Sequence, residues 1–566
     1  MCQTALQPGK SQQDDSKEVL NVKSAPSRHA LVPIESLKRH AGIALLAFIL
    51  NVVAFAPLIT RRHYSVDSYH LIDDQNAPWY LENGRYTWWR LTLTADSLGL
   101  NLVLRQRLFM AICIVGFSIS LVILTASFAR LSGISSFAGQ CCLCLTLSVV
   151  WINVFVLEFL LFPESAVSAA VGSIFVSLAV SLILGRRNAW LSAASLICLL
   201  IALGCYQSLV GVFLALALLG GCLTSLREGH EPFTRVMLRW AKVLGMAAFC
   251  SVFNVICVRY LIHIQYIADP GRGARLSLPT IVSNVKQVLK YQLSLLNNAD
   301  GLMPKFSVTL ILLFLIALLV LSFRTRHNLP YGQLACAALV AYLAVFAPHY
   351  IEKNILLTPR SNMAFWAWVA SMTTVFAVSL LASRHQPFTV RTPIEPMPEP
   401  DRKVEVTREG TEAFPGSGNG AQHAARLIAV SGVFLLFSSL CMADIAYDAY
   451  VSNTQDQAYA LSVAQKIKEH EASTGQRVTA IAIVPDARVH EKYDSVRYQK
   501  YELNRRIMNT PYSNYQMINH LSHLNLSKIK MPQSDYRRYF AGRDWNQLDL
   551  DQQLVFSGDK AYLALY

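Results

Sequence analysis

AGIALLAFILNVVAFAPLITRRHYSVDSYHLIDDQNAPWYLENGRYTWWR, residues 41–90, joins an apolar run, Ala41–Thr60, to a polar segment dense in acids and rings. About 20 mostly apolar residues suffice to cross the hydrocarbon of a bilayer as a helix. The run therefore predicts a membrane span, and the segment after it sits at the membrane boundary. That segment places Asp67, Asp73, Asp74 and Glu82 among Tyr64, Tyr69, Trp79, Tyr80, Tyr86, Trp88 and Trp89. A carboxylate can take a proton from a hydroxyl, and aromatic rings can stack on a pyranose face. Beside a membrane span, the combination points to lipid-linked sugar chemistry. The competing reading is an interfacial aromatic belt with solvated acids.

Composition supports the membrane assignment. The chain has 566 residues, 53% hydrophobic and 15% charged, against about 25% charged in an ordinary soluble domain. A net charge of +14 raises nucleic acid as a partner. The basic residues instead gather at the ends of apolar runs, as in Lys38-Arg39-His40, Arg186-Arg187 and Arg324–His327. That distribution fits topology signals and anionic lipid headgroups, so no nucleic-acid partner is expected. Cys141, Cys142 and Cys144 lie in an apolar run without a nearby histidine, which suits helix packing better than a metal site.

The expected fold is mainly α, with about eleven transmembrane helices and a small extracytoplasmic α/β domain at the C-terminus. The spans lie near Ala41–Thr60, Leu108–Phe128, Phe137–Val156, Ser165–Leu184, Ala189–Cys205, Ser208–Leu226, Val236–Tyr260, Phe306–Phe323, Tyr331–Pro348, Thr358–Leu381 and Leu427–Ala446. Residues 1–40 read as a disordered cytoplasmic tail and residues 41–382 as the membrane core. Residues 383–424, rich in Pro, Glu, Arg and Gly, read as a cytoplasmic linker, followed by a last span at 425–446. Residues 447–566 form the outer domain, with a helix at Gln455–Ser473, a stop at Gly475 and a buried strand in Arg477–Pro485. That domain has no glycine-rich nucleotide loop. Leu278–Leu295 has apolar residues at helical spacing and is expected along the outer interface. The basic bias puts the N-terminus in the cytoplasm, and Asp67, Asp73, Asp74, Glu158 and Glu164 then fall outside.

Sugar transfer from a lipid phosphate needs a base for the acceptor, cations for the departing phosphate and a groove for the isoprenoid. Asp67 is the first choice for the base because it stands just beyond the first span, with Asp73 or Asp74 as the alternative. Arg360, in TPRSNMAFWAW, places a charge at the start of an apolar span and should have an anionic partner. Lys353 and Arg85 are further candidates for the phosphate. Tyr69, Trp79, Glu158, Glu164, Tyr206 and Gln207 are candidates for the acceptor or the cavity wall; Gln207 interrupts an apolar hairpin where lipid offers no hydrogen bonds. A divalent cation, Mg or Mn, bridging phosphate and carboxylate is left open. A transporter or flippase of lipid-linked sugars is the main rival, although the chain has no clear internal repeat. A non-catalytic envelope scaffold is the other.

DSY at Asp67–Tyr69, W…NGR at Trp79 and Asn83–Arg85, the acidic turn Leu157–Glu164, YQ at Tyr206-Gln207 and PR at Pro359-Arg360 resemble the bacterial O-antigen glucosyltransferase (Gtr type II) family. That family is a branch of the GT-C membrane glycosyltransferases. The resemblance implies an inverting transferase that moves a hexose, typically glucose, from a polyprenyl phosphate to a cell-envelope glycan on the outer face of the bacterial cytoplasmic membrane. It implies partner enzymes that make and flip the donor. Its catalytic acid after the first span maps to Asp67, with Asp73 or Asp74 as the alternative, since members with a tight Asp-Asp pair differ from this spacing.

Overall fold

A computed structural model describes residues 34–76, 78–185, 188–228, 232–269, 271, 277–325, 331–381, 418–485, 491–543 and 549–565. Most of the expected tail (1–40) and linker (383–424) lies outside the described residues. Among the described residues, eight helices are long and apolar enough to cross a membrane, beginning with His40–Thr60 and ending within Ala425–Thr474. The other three expected spans are the shorter helices Phe137–Ser148, Ala189–Cys205 and Tyr331–Val345. At 1.5 Å per residue, even the longest of these three reaches only about 26 Å, short of the roughly 30 Å hydrocarbon thickness.

Leu209–Leu226 and Pro359–Leu381 are buried over most of their length and form the centre of the bundle. Phe233–His263 and Ser307–Arg324 lie at its edge, with Phe249, Ile256, Leu310 and Ile316 exposed. Small residues bring two inner helices, Gln106–Ser132 and Ala166–Ile183, into close contact. A Cβ on Gly116 would stand 2.7 Å from Ala170. Paired hydroxyls, Ser120 with Ser177 at 2.6 Å and Ser127 with Ser181 at 2.7 Å, run along the same seam. In a bilayer, such packing and interhelical hydrogen bonds replace the hydrophobic drive that lipid cannot supply.

The expected span Phe137–Val156 is corrected to two helices, Phe137–Ser148 and Val154–Leu160. Asn153 makes the break possible. Its side chain accepts from Phe155 N and Val156 N, both at 3.0 Å, and donates to the carbonyls of Val149 and Val150 at 2.9 and 3.0 Å. Backbone groups freed within a buried region must find such partners. Asn153→Ala should therefore cost about 1–3 kcal/mol, read as a lower melting temperature in detergent.

The last expected span and the following helix are one continuous helix, Gly418–Thr474, of 57 residues, about 85 Å long. Nothing between Tyr447 and Thr454 breaks it, and its polar side chains are engaged. Asp448 accepts from the backbone of Arg497 and Tyr498, both at 2.7 Å, and Asn453 exchanges hydrogen bonds with the backbone of Tyr64 at 2.6 and 3.0 Å. The helix stops before Gly475, whose φ of +69° suits glycine. The α/β unit follows, with β1 (Ala480–Pro485), β2 (Ser527–Lys528), β3 (Leu554–Ser557) and β4 (Lys560–Leu565) in the order β2-β1-β4-β3. β1 pairs in parallel with β2 and β4, while β3 and β4 are antiparallel. The strand expected within Arg477–Pro485 is thus the core strand β1.

The amphipathic segment expected at 278–295 is the helix Leu278–Asn298, burying Asn284, Val288, Tyr291 and Leu295 on one face. Asn284 Nδ2 donates to the carbonyls of His349 and Glu352 at 3.0 and 2.8 Å, which holds the turn leading towards Arg360.

Candidate active site

A cavity of about 330 Å³ opens where the helix bundle meets the C-terminal unit. Its wall combines Asp67, His70, Trp79, Arg85 and Trp88 from the segment after the first helix with Phe159, Phe162, Glu164, Tyr206 and Arg360 from the bundle. Glu502 and Tyr512 close it from the C-terminal unit.

The 61–90 segment is folded, with short helices at Ser68–Asp73, Trp79–Glu82 and Tyr86–Ser97. Asp67 stands at the N-cap of the first of these. Its Oδ1 accepts a hydrogen bond from the Tyr512 hydroxyl at 2.7 Å, and Oδ2 has no protein partner among the described residues. Removal from water, then the nearby Glu502 carboxylate, pushes the Asp67 pKa above its ordinary 3.8, while Tyr512, Arg360 and Arg85 oppose the shift. The carboxylate is therefore a stronger base than a solvated aspartate.

Arg85 is placed by the turn at Asn83-Gly84. Gly84 has a φ of +68° and lies against Asn254, so a Cβ there would meet Asn254 Oδ1 at 2.4 Å. Asn254 Nδ2 donates to Gly84 O at 2.8 Å, and Gln207 donates to Asn83 O. One bundle helix, through Asn254, and the turn after Cys205, through Gln207, thus clasp the Asn83-Gly84 turn, and Gln207 bridges rather than standing free. The Arg85 guanidinium lies 5.2 Å from the Trp88 ring, 5.1 Å from Tyr206 and 6.0 Å from Trp79. Its Nε is buried without a hydrogen-bond partner. An arginine held by ring faces keeps its fork for an incoming anion.

Arg360 finds the anionic partner expected of it. Its backbone N donates to Glu158 Oε2 at 2.6 Å and its guanidinium to Glu158 Oε1 at 2.5 Å, while a second guanidinium nitrogen pairs with Glu502. Glu158 is only 1% exposed. Arg360 is thus a cation with two carboxylates already on it, and Arg85 is the more available one. Glu164 lines the cavity with Oε1 taken by Ser65 at 3.3 Å and Oε2 unpartnered.

Of the residues singled out from sequence, Asp67, Trp79, Arg85, Glu164, Tyr206 and Arg360 meet at the cavity, with Glu158 directly behind Arg360. Asp73 and Asp74 do not; both are exposed at the far end of their short helix. Lys353 is exposed on the turn before Arg360 and does not line the cavity. Tyr69 is buried instead beneath the C-terminal unit, stacked 5.0 Å from Tyr64 and bonded by Gln457 at 3.4 Å. Phe159, Phe162, His70, Glu502 and Tyr512 were not singled out, and Trp88 was named only as one of the rings of the 61–90 segment. Trp88 and His70 lie within the segment quoted at the outset, but nothing local marks Glu502 or Tyr512, since they arrive through folding across more than 400 residues. Among the described residues, no group of three or more His, Cys, Asp or Glu could hold a metal ion.

A helical membrane protein with an acid, a ring-held cation and aromatic walls around one cavity is built for glycosyl transfer. The chain belongs to the glucosyl transferase GtrII family, whose model matches residues 56–379, more than half of the chain. The match contains Asp67, Arg85, Glu158, Glu164 and Arg360, and ends before the C-terminal unit, whose turns carry Glu502 and Tyr512. No curated protein and no solved structure matches the chain.

Proposed function

We propose that the protein transfers a hexose, glucose, from a polyprenyl phosphate to a cell-envelope polysaccharide at the outer face of the bacterial cytoplasmic membrane. The single observation that carries this reading is the meeting of Asp67 with Arg85 in one aromatic-walled cavity. Asp67 Oδ2 takes the proton of the acceptor hydroxyl, whose oxygen attacks C1 of the sugar. The bond from C1 to the phosphate oxygen breaks, and its electron pair leaves with polyprenyl phosphate. Arg85 meets the developing charge, joined by Arg360. One displacement inverts C1. Trp79, Trp88 and Tyr206 offer faces for the sugar ring.

A lipid donor is supported by the position of the cavity at helix ends, and by the absence of a glycine-rich nucleotide loop from the sequence of the C-terminal unit. The outer face is supported by the basic residues of the opposite turns. The reading also requires partner enzymes that make and flip the donor.

The test incubates purified full-length protein with polyprenyl-phosphate-glucose and envelope polysaccharide. Glucose on the polysaccharide, with release of polyprenyl phosphate, is expected. Transfer from a nucleotide sugar but not from the lipid would overturn the proposed donor. Translocation of the lipid-linked sugar across proteoliposomes without transfer would favour the transporter. Arg85→Met should raise the donor KM about tenfold to a hundredfold, the worth of a hydrogen bond to a charged group. An unchanged donor KM would remove Arg85 from the phosphate site.

A further inference from the structure

The family match ends at residue 379, yet the cavity is closed by residues far beyond it. We infer that the C-terminal unit is a working part of the active site, with Tyr512 and Glu502 as positioning residues that aim Asp67 and hold Arg360. This rests on the proposed role of Asp67 as base.

Two contacts carry the inference, and they reach different halves of the cavity. The Tyr512 hydroxyl donates to Asp67 Oδ1 at 2.7 Å. With that oxygen fixed, the carboxylate cannot turn freely, and Oδ2 becomes the proton-accepting atom. Glu502 pairs with Arg360, whose other contacts are the buried Glu158 and, 4.4 Å away, the Phe162 ring. One short stretch, Glu502–Tyr512, thus touches both the base and a phosphate cation.

The stretch is itself fixed. Asp456, on the long helix, accepts from the backbone N of Ile507 at 2.7 Å and from the Tyr493 hydroxyl at 2.8 Å. Asn504 Nδ2 donates to Tyr498 O at 2.8 Å. The helix that emerges from the bundle therefore positions the stretch that completes the cavity.

The charged and titratable groups around Asp67 are Glu502, Tyr512, Arg85, Arg360, Glu164, His70 and Tyr80. Within this set, the two C-terminal residues act on Asp67 with opposite sign. The Tyr512 hydrogen bond lowers its pKa and the Glu502 charge raises it. Losing the first shifts Asp67 further up, while neutralising the second brings it down.

The experiment is the pH dependence of kcat for full-length Tyr512→Phe and Glu502→Gln beside the wild type, with polyprenyl-phosphate-glucose as donor. The acid limb should move to higher pH in Tyr512→Phe, by about one unit, and to lower pH in Glu502→Gln. The donor KM of Tyr512→Phe should stay in place, because its hydroxyl touches the base and not a phosphate cation. A scaffold role would move neither limb. Unmoved limbs, with Asp67→Asn inactive, would overturn the inference alone. An Asp67→Asn variant with wild-type turnover would overturn the assignment of the base and this inference with it. Should no donor support transfer, melting temperatures of Asp67→Ala, Tyr512→Phe and the double variant decide, since each single change removes the contact. A non-additive result supports the contact, and strict additivity overturns it.

Discussion

Asp67→Asn is expected to lower kcat by about 10²–10⁴-fold, the usual contribution of a positioned general base. Asparagine keeps the size of the side chain and an oxygen to accept from Tyr512, so the cavity keeps its shape and loses only the proton acceptor. The pH behaviour follows from the direction of the shift. Asp67 must be ionised to act, and its pKa is raised above 3.8. The wild-type rate should therefore fall, as pH drops, at a higher pH than an ordinary aspartate would give. The sign for stability is the reverse. A folded-state pKa above the unfolded value means that the native protein binds this proton more tightly. The carboxylate then costs stability as pH rises from the unfolded pKa through the folded one. Asp67→Asn removes that cost, so its melting temperature at neutral pH should equal or exceed that of the wild type. An inactive, well-folded Asp67→Asn separates chemistry from unfolding, and an active one would eliminate Asp67 as base.

Glu158→Ala should have the largest effect on stability. Glu158 accepts from both the backbone N and the guanidinium of Arg360, and its loss leaves Arg360 with only the partly exposed Glu502 as a carboxylate partner. Breaking a buried ion pair from one side costs about 3–5 kcal/mol. Thermal unfolding in detergent should place Glu158→Ala below Glu158→Gln, because glutamine can still accept from the Arg360 backbone. The double variant Glu158→Ala, Arg360→Met should recover part of the lost stability, since the poorly paired buried cation is gone and Glu502, left without it, is partly exposed to water. It should not recover full transfer, because Arg85 is then left without Arg360 beside it to meet the departing phosphate. A double variant with wild-type turnover would show that Arg360 serves the fold alone.

The two predictions divide the cavity between groups of different legibility. Asp67 was legible as the first acid beyond an apolar run, and Arg360 as a charge at the threshold of a span. Both readings rest on the cost of placing polar groups near hydrocarbon, which is written in local sequence. The NGR turn was visible as residues, but its clasp by Asn254 and Gln207 was not, because neither partner lies near it in the chain. Asp73 and Asp74 matched the composition of a site equally well. Only the end of the helix Ser68–Asp73 turned them outward. The span expected at Phe137–Val156 misled for a related reason. Hydropathy counts apolar residues and is blind to Asn153, whose four hydrogen bonds allow the backbone to break while buried.

By itself, then, the sequence determined that this protein is a helical membrane protein with an acid- and ring-rich segment after its first long helix, and a small α/β unit at its end. Those properties follow from runs of apolar residues and alternating patterns, which act over a few turns of chain. Tertiary structure alone decided which acid faces the cavity, which arginine is already engaged, and that Tyr512 and Glu502 belong to the site. Such choices depend on contacts between residues hundreds of positions apart, where packing and electrostatics select among side chains that composition leaves equivalent.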